Sequence, residues 1–282
     1  MNRLTLLGAA ARLARELGLG GMLSRTRDLI DVTCARRGRF PLSCRIDERD
    51  LRGLLRHRSF LEEVSAGAYE CFSRDLFTDA LTPGAIVIDG GSHIGLYSQL
   101  AVADEPELKA VLAFEPDPFN YAALRANLAR YHDRVRMHRK ALADHVGTGV
   151  FNVSQGTISS SLFHRPSVES TWSKHPVALT TIDNEVAEEV DGVAVVMKLD
   201  LEGAEPLAAQ GMRRTLERAS AAAALVEVNT SALKAGGFTP AELVARLRDI
   251  GLRVWYVDER RGQLRSVNVS APLKGNLYCE KA

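Results

Sequence analysis

From Thr82 to the end of the chain, short apolar runs alternate with longer amphipathic segments. The short runs are rich in Val, Ile, Leu and Ala, as in buried strands, and the longer segments have the spacing of amphipathic helices. Such alternation is typical of βαβ units, in which crossover helices join parallel strands and cover both faces of the sheet. The pattern therefore predicts an α/β domain with a doubly wound, mostly parallel sheet.

Seven runs are predicted to be the strands of this sheet. They are Ala85 to Asp89, Ala110 to Glu115, Val135 to Leu142, Val193 to Asp200, Ala222 to Val228, Arg253 to Val257 and Asn276 to Cys279. The last two follow each other too closely for a crossover helix, so we expect them to be antiparallel.

Helix starts between the strands carry recognisable local signals. Asp117 is a capping residue followed by Pro118, and Pro206 begins the helix after the fourth strand. Thr239 and Glu242 form a capping box around Pro240, which opens a helix to about Ile250. These signals support the alternation of strands and helices.

The first 64 residues have a different character from the rest of the chain. They hold thirteen Arg and eight acidic residues, a local charge of +5, and no Lys. Leucines at helical spacing beside arginines, from Leu4 to Arg15 and from Leu51 to Arg58, predict two or three amphipathic helices. We interpret residues 1–64 as a helical extension, a cap or a dimer arm rather than a membrane- or polyanion-binding segment, and residues 65–282 as the main domain.

Residues 151–180 are polar and rich in serine. A long segment of this kind in a compact domain is usually a functional loop or lid. Thr157, Ser159, Ser160 and Ser161 are either donors to a polar ligand or ordinary loop residues, and the sequence does not separate the two.

Composition narrows the classes of partner. Of 282 residues, 46% are hydrophobic and 25% charged, and the net charge of +1 provides no general basic field for nucleic acid. The four cysteines form no C-x-x-C pair, which favours a reducing compartment. Arg12, Arg15 and Glu16 interrupt the apolar start of the chain, and no apolar run reaches the roughly 18 residues of a membrane span. We therefore expect a cytoplasmic protein with no membrane association.

The first strand ends in a glycine-rich turn, Asp89 to Gly95 (D-G-G-S-H-I-G). Glycines at a strand-to-helix turn allow a ligand to lie against the backbone. The spacing differs from the G-x-G-x-x-G of dinucleotide enzymes, and an acid at the strand tip repels a pyrophosphate. An acid suits a ligand that carries an ammonium and a sulfonium, so the charges point to S-adenosylmethionine.

Glu115 ends the second strand, next to the first in such a sheet. A carboxylate there can accept hydrogen bonds from both hydroxyls of a ribose. The alternative is that Glu115 is a solvated acid in a loop and binds no ligand. The combination of the glycine turn with this acid is more specific than either feature alone.

Several blocks in order resemble the FkbM family of S-adenosylmethionine-dependent methyltransferases, over roughly two thirds of the chain. The blocks are Asp89 to Gly95, Ala113 to Pro118, Ala141 to Asp144, Thr181 to Asp183 and Lys198 to Glu205. The resemblance implies a class I (Rossmann-like) methyltransferase fold and O-methylation of a natural product or glycan. The cofactor-binding residues it implies are Asp89, Gly90, Gly91, Ser92, His93, Gly95, Glu115, Pro116, Ala141 and Asp144. The family commonly has Ala-Asn at Ser92 and His93. We interpret His93 as a polar substitute that hydrogen-bonds in the cofactor loop, rather than as a specialised group near the methyl donor.

The fourth strand ends with Lys198, Asp200 and Glu202 at alternate positions, which places Lys198 and Asp200 on one face of an extended strand. A buried lysine requires a partner, so these residues form either a structural ion pair or part of the reaction centre. Because ligands bind beyond the carboxyl ends of parallel strands, we favour the reaction centre. Asp200 is the expected base or acceptor-positioning group, Lys198 tunes it, and Glu202 orients the acceptor or the cofactor amine. Glu205 is expected to cap the following helix.

Asp200 could also form an all-oxygen magnesium site with Glu227 and Asn229 on the fifth strand tip. The alternative is that Glu227 pairs with Lys198 or another cation, and we favour this alternative.

The sequence thus predicts an S-adenosylmethionine-dependent O-methyltransferase for a small hydroxylated acceptor, of sugar or polyketide type, and a possible homo-oligomer through the N-terminal helices. Two alternatives are a nicotinamide-dependent oxidoreductase and a catalytically inactive binding module. A nucleic-acid substrate is disfavoured because the fourth strand tip is acidic and has no aromatic residue to stack a flipped base.

Overall fold

The computed structural model describes residues 20–46, 49–154, 160–164, 172–186 and 189–282. Its helices are α1 (Gly20–Arg36), α2 (Arg58–Ser65), α3 (Cys71–Asp79), α4 (Leu96–Asp104), α5 (Pro118–Leu128), α6 (Ile182–Val186), α7 (Glu205–Gln210), α8 (Arg213–Arg218), α9 (Thr230–Ala235) and α10 (Pro240–Asp249). Its strands are β1 (Leu42–Ile46), β2 (Arg49–Gly53), β3 (Ile86–Gly90), β4 (Ala110–Phe114), β5 (Val135–His138), β6 (Lys140–Leu142), β7 (Gly147–Ser154), β8 (Trp172–Thr180), β9 (Ala194–Leu199), β10 (Ala221–Asn229), β11 (Leu252–Asp258), β12 (Gln263–Arg265) and β13 (Lys274–Lys281). Short 3₁₀ turns cover Leu55–His57 and Ala129–Tyr131.

The largest sheet among the described residues contains eight strands in the order β12-β11-β13-β10-β9-β3-β4-β5. Strands β5, β4, β3, β9 and β10 are parallel, and β13 lies antiparallel between β10 and β11. This is the class I arrangement, so the predicted fold class is confirmed. Strand β12, which forms a hairpin with β11, was not predicted.

The chain leaves the main sheet within the predicted third strand. Residues 135–142 are two strands: β5 pairs with β4, whereas β6 pairs with β8 in a separate sheet of order β6-β8-β7. The prediction of one strand was therefore wrong. Strands β7 and β8 form an antiparallel hairpin at the two ends of the predicted loop, and Thr157 and Ser159 lie outside the described residues.

Alternate strand residues enter different layers of the core. Ile86 and Ile88 belong to a cluster with residues of α7, α8 and α10, whereas Val87 belongs to a cluster with residues of α3, α4 and α5. Because side chains alternate across a strand, a near-continuous apolar run is buried on both faces. The carboxyl end of each parallel strand is thereby held at one edge of the sheet.

The N-terminal segment differs from the predicted row of helices. Strands β1 and β2 pair antiparallel, and every second residue of β1 is buried: Leu42, Cys44 and Ile46. Leu51, expected in a helix, lies in β2. The helical pattern at residues 4–15 falls outside the described residues. Strands β1 and β2 and helix α2 share the core cluster of Val87, so these three elements pack directly against the central sheet.

Within the described part of the chain, no helix combines the length and apolar character of a membrane span.

Asp183, in the Thr181 to Asp183 block, has a structural position. Its carboxylate accepts hydrogen bonds from the backbone N–H groups of Arg214 and Thr215, at 3.2 and 2.7 Å, and from the Thr215 hydroxyl at 2.8 Å. These N–H groups belong to the first turn of α8, where no intrahelical acceptor is available. Asp183 therefore fixes α8 against α6.

We expect Asp183→Ala to lower the free energy of unfolding by about 1 to 3 kcal/mol, because it leaves buried N–H groups without an acceptor. Urea unfolding monitored by circular dichroism measures the change. Asp133→Ala, at an exposed carboxylate, serves as the control. A loss no larger than that of the control would show that Asp183 does not stabilise α8.

Candidate active site at the carboxyl ends of the strands

A cleft opens at the carboxyl ends of β3, β4 and β9, and its volume is about 920 Å³ including its opening to solvent. Parallel α/β sheets bind ligands at this edge. The predicted site residues that line it are Asp89, Gly91, Ser92, His93, Glu115, Pro116, Ala141, Lys198, Asp200 and Glu202.

Other predicted site residues lie outside the lining. Gly90 packs against Leu142 and Leu199, and Gly95 against Leu124. Asp144 contacts the neighbouring His145 at 2.7 Å and is not brought to the cleft. Gly90 and Gly95 thus shape the turn from behind, whereas the structure does not support the predicted contact of Asp144 with the cofactor.

The turn after β3 requires glycine because two parts of the backbone meet there. Gly91 has φ +74°, and a Cβ atom at this position would lie 1.9 Å from the carbonyl oxygen of Asp200. The Ser92 hydroxyl donates to the Asp89 carbonyl oxygen at 2.6 Å. The tip of β3 is therefore in direct contact with the tip of β9.

Asp89 is buried at the end of β3. Its carboxylate accepts hydrogen bonds from the backbone N–H and the hydroxyl of Ser98, at 3.0 and 2.5 Å. Burial raises the pKa of Asp89 to about 6, while the bonds from Ser98 and the nearby Lys198 ammonium counter part of that rise. Asp89 therefore carries a negative charge at neutral pH.

Glu115 is 4% exposed at the end of β4. Its two carboxylate oxygens accept from the backbone N–H groups of His93 and Asp117, each at 2.8 Å. Burial, and next the Asp117 carboxylate, raise the pKa of Glu115 well above its ordinary value, and these N–H donors and the Asn120 side chain counter the rise. The carboxylate has about four acceptor sites, so these three donors leave room for a ligand hydroxyl, as the predicted ribose contact requires.

Lys198 is 2% exposed and sits within a polar network. Its ammonium lies 3.4 Å from Asp200 Oδ2, 3.2 Å from Asn276 Oδ1 and 5.4 Å from the centre of the Tyr97 ring. Glu70 completes the network, because it accepts from Asn276 Nδ2 at 2.8 Å and from the Tyr97 hydroxyl at 2.7 Å. Burial lowers the pKa of Lys198, but Glu70, Asp200 and Glu227 raise it by more, so the ammonium stays protonated.

The loop after β9 is fixed by side chains from two directions. Glu205 is buried and accepts from the backbone N–H groups of Leu201 and Gly203. Glu205 therefore orders this loop, rather than capping α7 in the ordinary way, and burial raises the pKa of Glu205 to about 7. Ser161, from the predicted lid, donates to the Glu202 carbonyl oxygen at 2.8 Å.

The three magnesium candidates do not form a site. The Asn229 side-chain oxygen accepts from the N–H groups of Ser231 and Ala232 and caps α9. Burial and the neighbouring Asp200 carboxylate raise the pKa of Glu227 well above its ordinary value. Among the described residues, no group of three or more His, Cys, Asp or Glu side chains is arranged to hold a metal ion.

His93 does not take the role predicted from its polar side chain. Its ring packs edge-on against His57 and Phe60, with centroids 4.9 and 4.6 Å apart, and its Nε2 atom is buried without a hydrogen-bond partner in the described residues. Burial lowers the pKa of His93 well below its ordinary value, so the ring is neutral. The contact of His93 with Glu115 is made by its backbone N–H.

Sequence reasoning missed several residues of the site. Phe60 and Tyr69 come from α2 and the segment after it, Lys140 from β6, and Phe151 and Leu162 from the two sides of the predicted lid. Phe60 and Tyr69 stack edge to face at 4.9 Å. The sequence around Phe60 and Tyr69 contains no pattern that shows whether two aromatic residues line a cleft or lie in the core.

The donor set of the cleft fits S-adenosylmethionine. Carboxylates at three strand tips suit a positively charged molecule with ribose hydroxyls, and apolar side chains such as Leu142 and Phe151 suit a flat base. A pyrophosphate would meet the carboxylates of Asp89 and Glu115 at the tips of β3 and β4.

Comparisons with known proteins agree with this assignment. A family model described as the methyltransferase FkbM domain matches residues 89–254, more than half of the chain. The curated 31-O-demethyl-FK506 methyltransferase FkbM of Streptomyces tacrolimicus is 37% identical over 92 residues, which are 30% of this chain and 35% of that protein. The match thus spans about a third of the relative's length.

Two solved structures show weaker similarity. Methyltransferase FkbM from Methylobacillus flagellatus KT is 15% identical, with a TM-score of 0.41 over 90% of this chain and 59% of that chain. A TehB-like SAM-dependent methyltransferase from Corynebacterium glutamicum is 12% identical, with a TM-score of 0.45 over 79% of this chain and 93% of that chain. The strand order and the match over residues 89–254 together establish that the chain belongs to the FkbM family of S-adenosylmethionine-dependent methyltransferases.

Proposed function

We propose that the protein is an O-methyltransferase that acts on a hydroxyl of a small natural product or a sugar. The observation that carries the proposal is that one cleft places the buried carboxylate of Glu115 on one strand tip and the Lys198-Asp200 pair on another. When bound, S-adenosylmethionine supplies a methyl group on a sulfonium for direct displacement by an acceptor oxygen. Family membership decides against the nicotinamide-dependent alternative.

On the cofactor side, Glu115 accepts a hydrogen bond from the ribose, and Asp89 attracts the amino group. The backbone N–H groups of His93 and Asp117 donate to the Glu115 carboxylate and hold it in one orientation before the cofactor binds. Gly91 and Ser92 allow the ligand to approach the turn closely, and Pro116 and Ala141 contribute to the apolar walls. This half of the cleft binds the cofactor and orients it.

On the acceptor side, Asp200 is the base or the group that positions the hydroxyl. Lys198 cannot take the proton, because neighbouring carboxylates keep it protonated. The side chain of Asp200 is 27% exposed at 3.4 Å from the ammonium, so it can reach a bound hydroxyl while Lys198 fixes its direction. Glu202 lines the same cleft and orients the acceptor.

The charges on the acceptor side of the cleft favour some chemical classes of acceptor over others. Glu70, Asp200 and Glu227 all interact electrostatically with Lys198, so the carboxylates outnumber the single ammonium. Burial, and then these three acids, also raise the pKa of the Tyr69 hydroxyl. A neutral polyhydroxylated or amine-bearing acceptor matches this environment, whereas a carboxylate or phosphate ester is repelled.

A cytoplasmic location and a homo-oligomer through the N-terminal segment remain predictions from the sequence. The four cysteines are free thiols, which is compatible with a reducing compartment.

The reaction is tested with S-adenosylmethionine labelled in its methyl group and a panel of hydroxylated glycosides, macrolides and amino sugars, with carboxylic acids as a matched anionic set. Mass spectrometry locates the labelled atom in any product. We expect label on an oxygen of a neutral or cationic acceptor. Label on carbon or nitrogen, or transfer confined to the acids, would contradict the proposal, and binding without any transfer across the panel would favour an inactive binding module.

We expect Glu115→Ala to weaken binding of S-adenosylhomocysteine by about 1 to 3 kcal/mol, because the hydrogen bond to the ribose is lost. Isothermal titration calorimetry measures the affinity, and Glu107→Ala, at an exposed acid, is the control. Thermal unfolding verifies that both variants are folded. Affinity equal to that of the control would refute the ribose assignment.

We expect Asp200→Asn to lower turnover by about two to four orders of magnitude while the affinity for S-adenosylhomocysteine stays within a few-fold. The amide keeps the shape of the side chain but cannot accept the proton. Single-turnover rates with an acceptor identified in the panel, combined with calorimetry, separate the two effects. An equal loss of rate and affinity would assign Asp200 to cofactor binding or to the fold.

A further inference from the structure

Residues 54–57 form a turn of the N-terminal segment. This turn contacts the first turn of α5, the helix that follows Glu115. The turn is itself fixed by Asp31 of α1, whose carboxylate accepts from the N–H groups of Leu55 and Arg56 at 2.8 and 3.1 Å. The Arg56 guanidinium lies 3.9 Å from the Asp117 carboxylate and 4.8 Å from the centre of the Phe119 ring. It also donates to the carbonyl oxygen at the end of β7.

His57 makes two buried hydrogen bonds whose directions determine its tautomer. Its Nδ1 atom accepts from the backbone N–H of Leu54 at 3.0 Å, and its Nε2 atom lies 2.9 Å from Asn120 Oδ1. Because Nδ1 is an acceptor, the proton of the neutral ring is on Nε2, which donates to the amide oxygen. Burial lowers the pKa of His57 to about 3, so the ring is neutral at working pH.

This bond orients the side-chain amide of Asn120. With its oxygen held by His57, the amide nitrogen is the atom left to donate, and the Asn120 side chain lies close enough to the Glu115 carboxylate to lower the pKa of that group. Asn120 is 4% exposed and lines the same cleft as Glu115. Glu115 is thus surrounded by His93 from the turn after β3, Asp117 from its own loop and Asn120 from the first turn of α5. Asn120 in turn contacts His57 of the N-terminal segment.

We propose that His57 is a positioning residue for the cofactor site, which orients the Asn120 amide so that its nitrogen donates to Glu115 and holds that carboxylate toward the ribose. The inference rests on the proposed role of Glu115. Without the Nε2 donor, the amide is free to rotate and present its oxygen to the carboxylate, and two acceptors then face each other in a buried place.

The structure also shows a competing explanation, which is that His57 acts through Leu54 and holds the turn alone. The two hydrogen bonds can be separated by substitution. In His57→Asn, the side-chain oxygen takes the place of Nδ1 and retains the bond to Leu54. In His57→Gln, the side-chain nitrogen takes the place of Nε2 and retains the bond to Asn120.

The experiment compares His57→Gln with His57→Asn, and measures S-adenosylhomocysteine affinity by calorimetry and stability by thermal unfolding. The exposed His132→Asn is the control. We expect His57→Gln to bind within about threefold of the unchanged protein and His57→Asn to bind at least about tenfold more weakly, since the latter loses the donor to Asn120. The reverse order, or equal affinities, would overturn the proposal and assign His57 to the turn.

A second variant covers the case in which substitution of His57 prevents folding. Asn120→Asp still accepts from His57 but has no N–H for Glu115, and an acid is well placed in the first turn of a helix. We expect at least about tenfold weaker binding of S-adenosylhomocysteine. Undiminished affinity would overturn the proposal.

Glu115→Ala separates this inference from the proposed function. If Glu115→Ala binds as tightly as the unchanged protein, the ribose assignment itself fails. If Glu115→Ala weakens binding whereas His57→Asn and Asn120→Asp do not, the ribose assignment stands and the role of His57 is refuted.

Discussion

The cleft depends on one buried ammonium. Lys198 lies in an otherwise apolar strand, and taking its charge out of water is compensated by Asp200, Asn276, Glu70 and the face of the Tyr97 ring. Removing one partner of such a group leaves a buried charge without compensation, which typically costs several kcal/mol. The same ammonium lowers the pKa of Asp89 on the neighbouring strand and thereby helps to keep that carboxylate ionised. This lysine therefore stabilises the ionised form of the acid at the tip of β3.

The N-terminal segment is part of the site as well as of the core. Strands β1 and β2 and helix α2 bury their apolar residues in the same cluster as β3, α4 and α5. Phe60 lines the cleft, while Arg56 and His57 hold the first turn of α5. A segment with the composition of a solvated helical cap thus completes the wall beside the cofactor half, which links cofactor binding to the packing of this segment.

The predicted lid is anchored to both halves of the cleft. Ser160 donates to the Asp117 carboxylate at 2.7 Å, and Ser161 donates to the Glu202 carbonyl oxygen. Asp117 also caps α5 next to Glu115. Ser160 and Ser161 thus connect the cofactor loop with the loop after β9.

The sequence by itself determined most strands of the main sheet, their carboxyl-terminal acids and the glycine turn, because strand periodicity, capping and turn chemistry are local properties of the chain. It did not reveal the strand pair β1-β2, whose period of two was obscured by arginines at a spacing that also fits a helix. Only the tertiary structure decided that His57 meets Asn120, 63 positions away, and that Glu70 meets Asn276, 206 positions away. Such contacts depend on how distant elements pack, and the residues that make them carry no periodic pattern that would announce their partner.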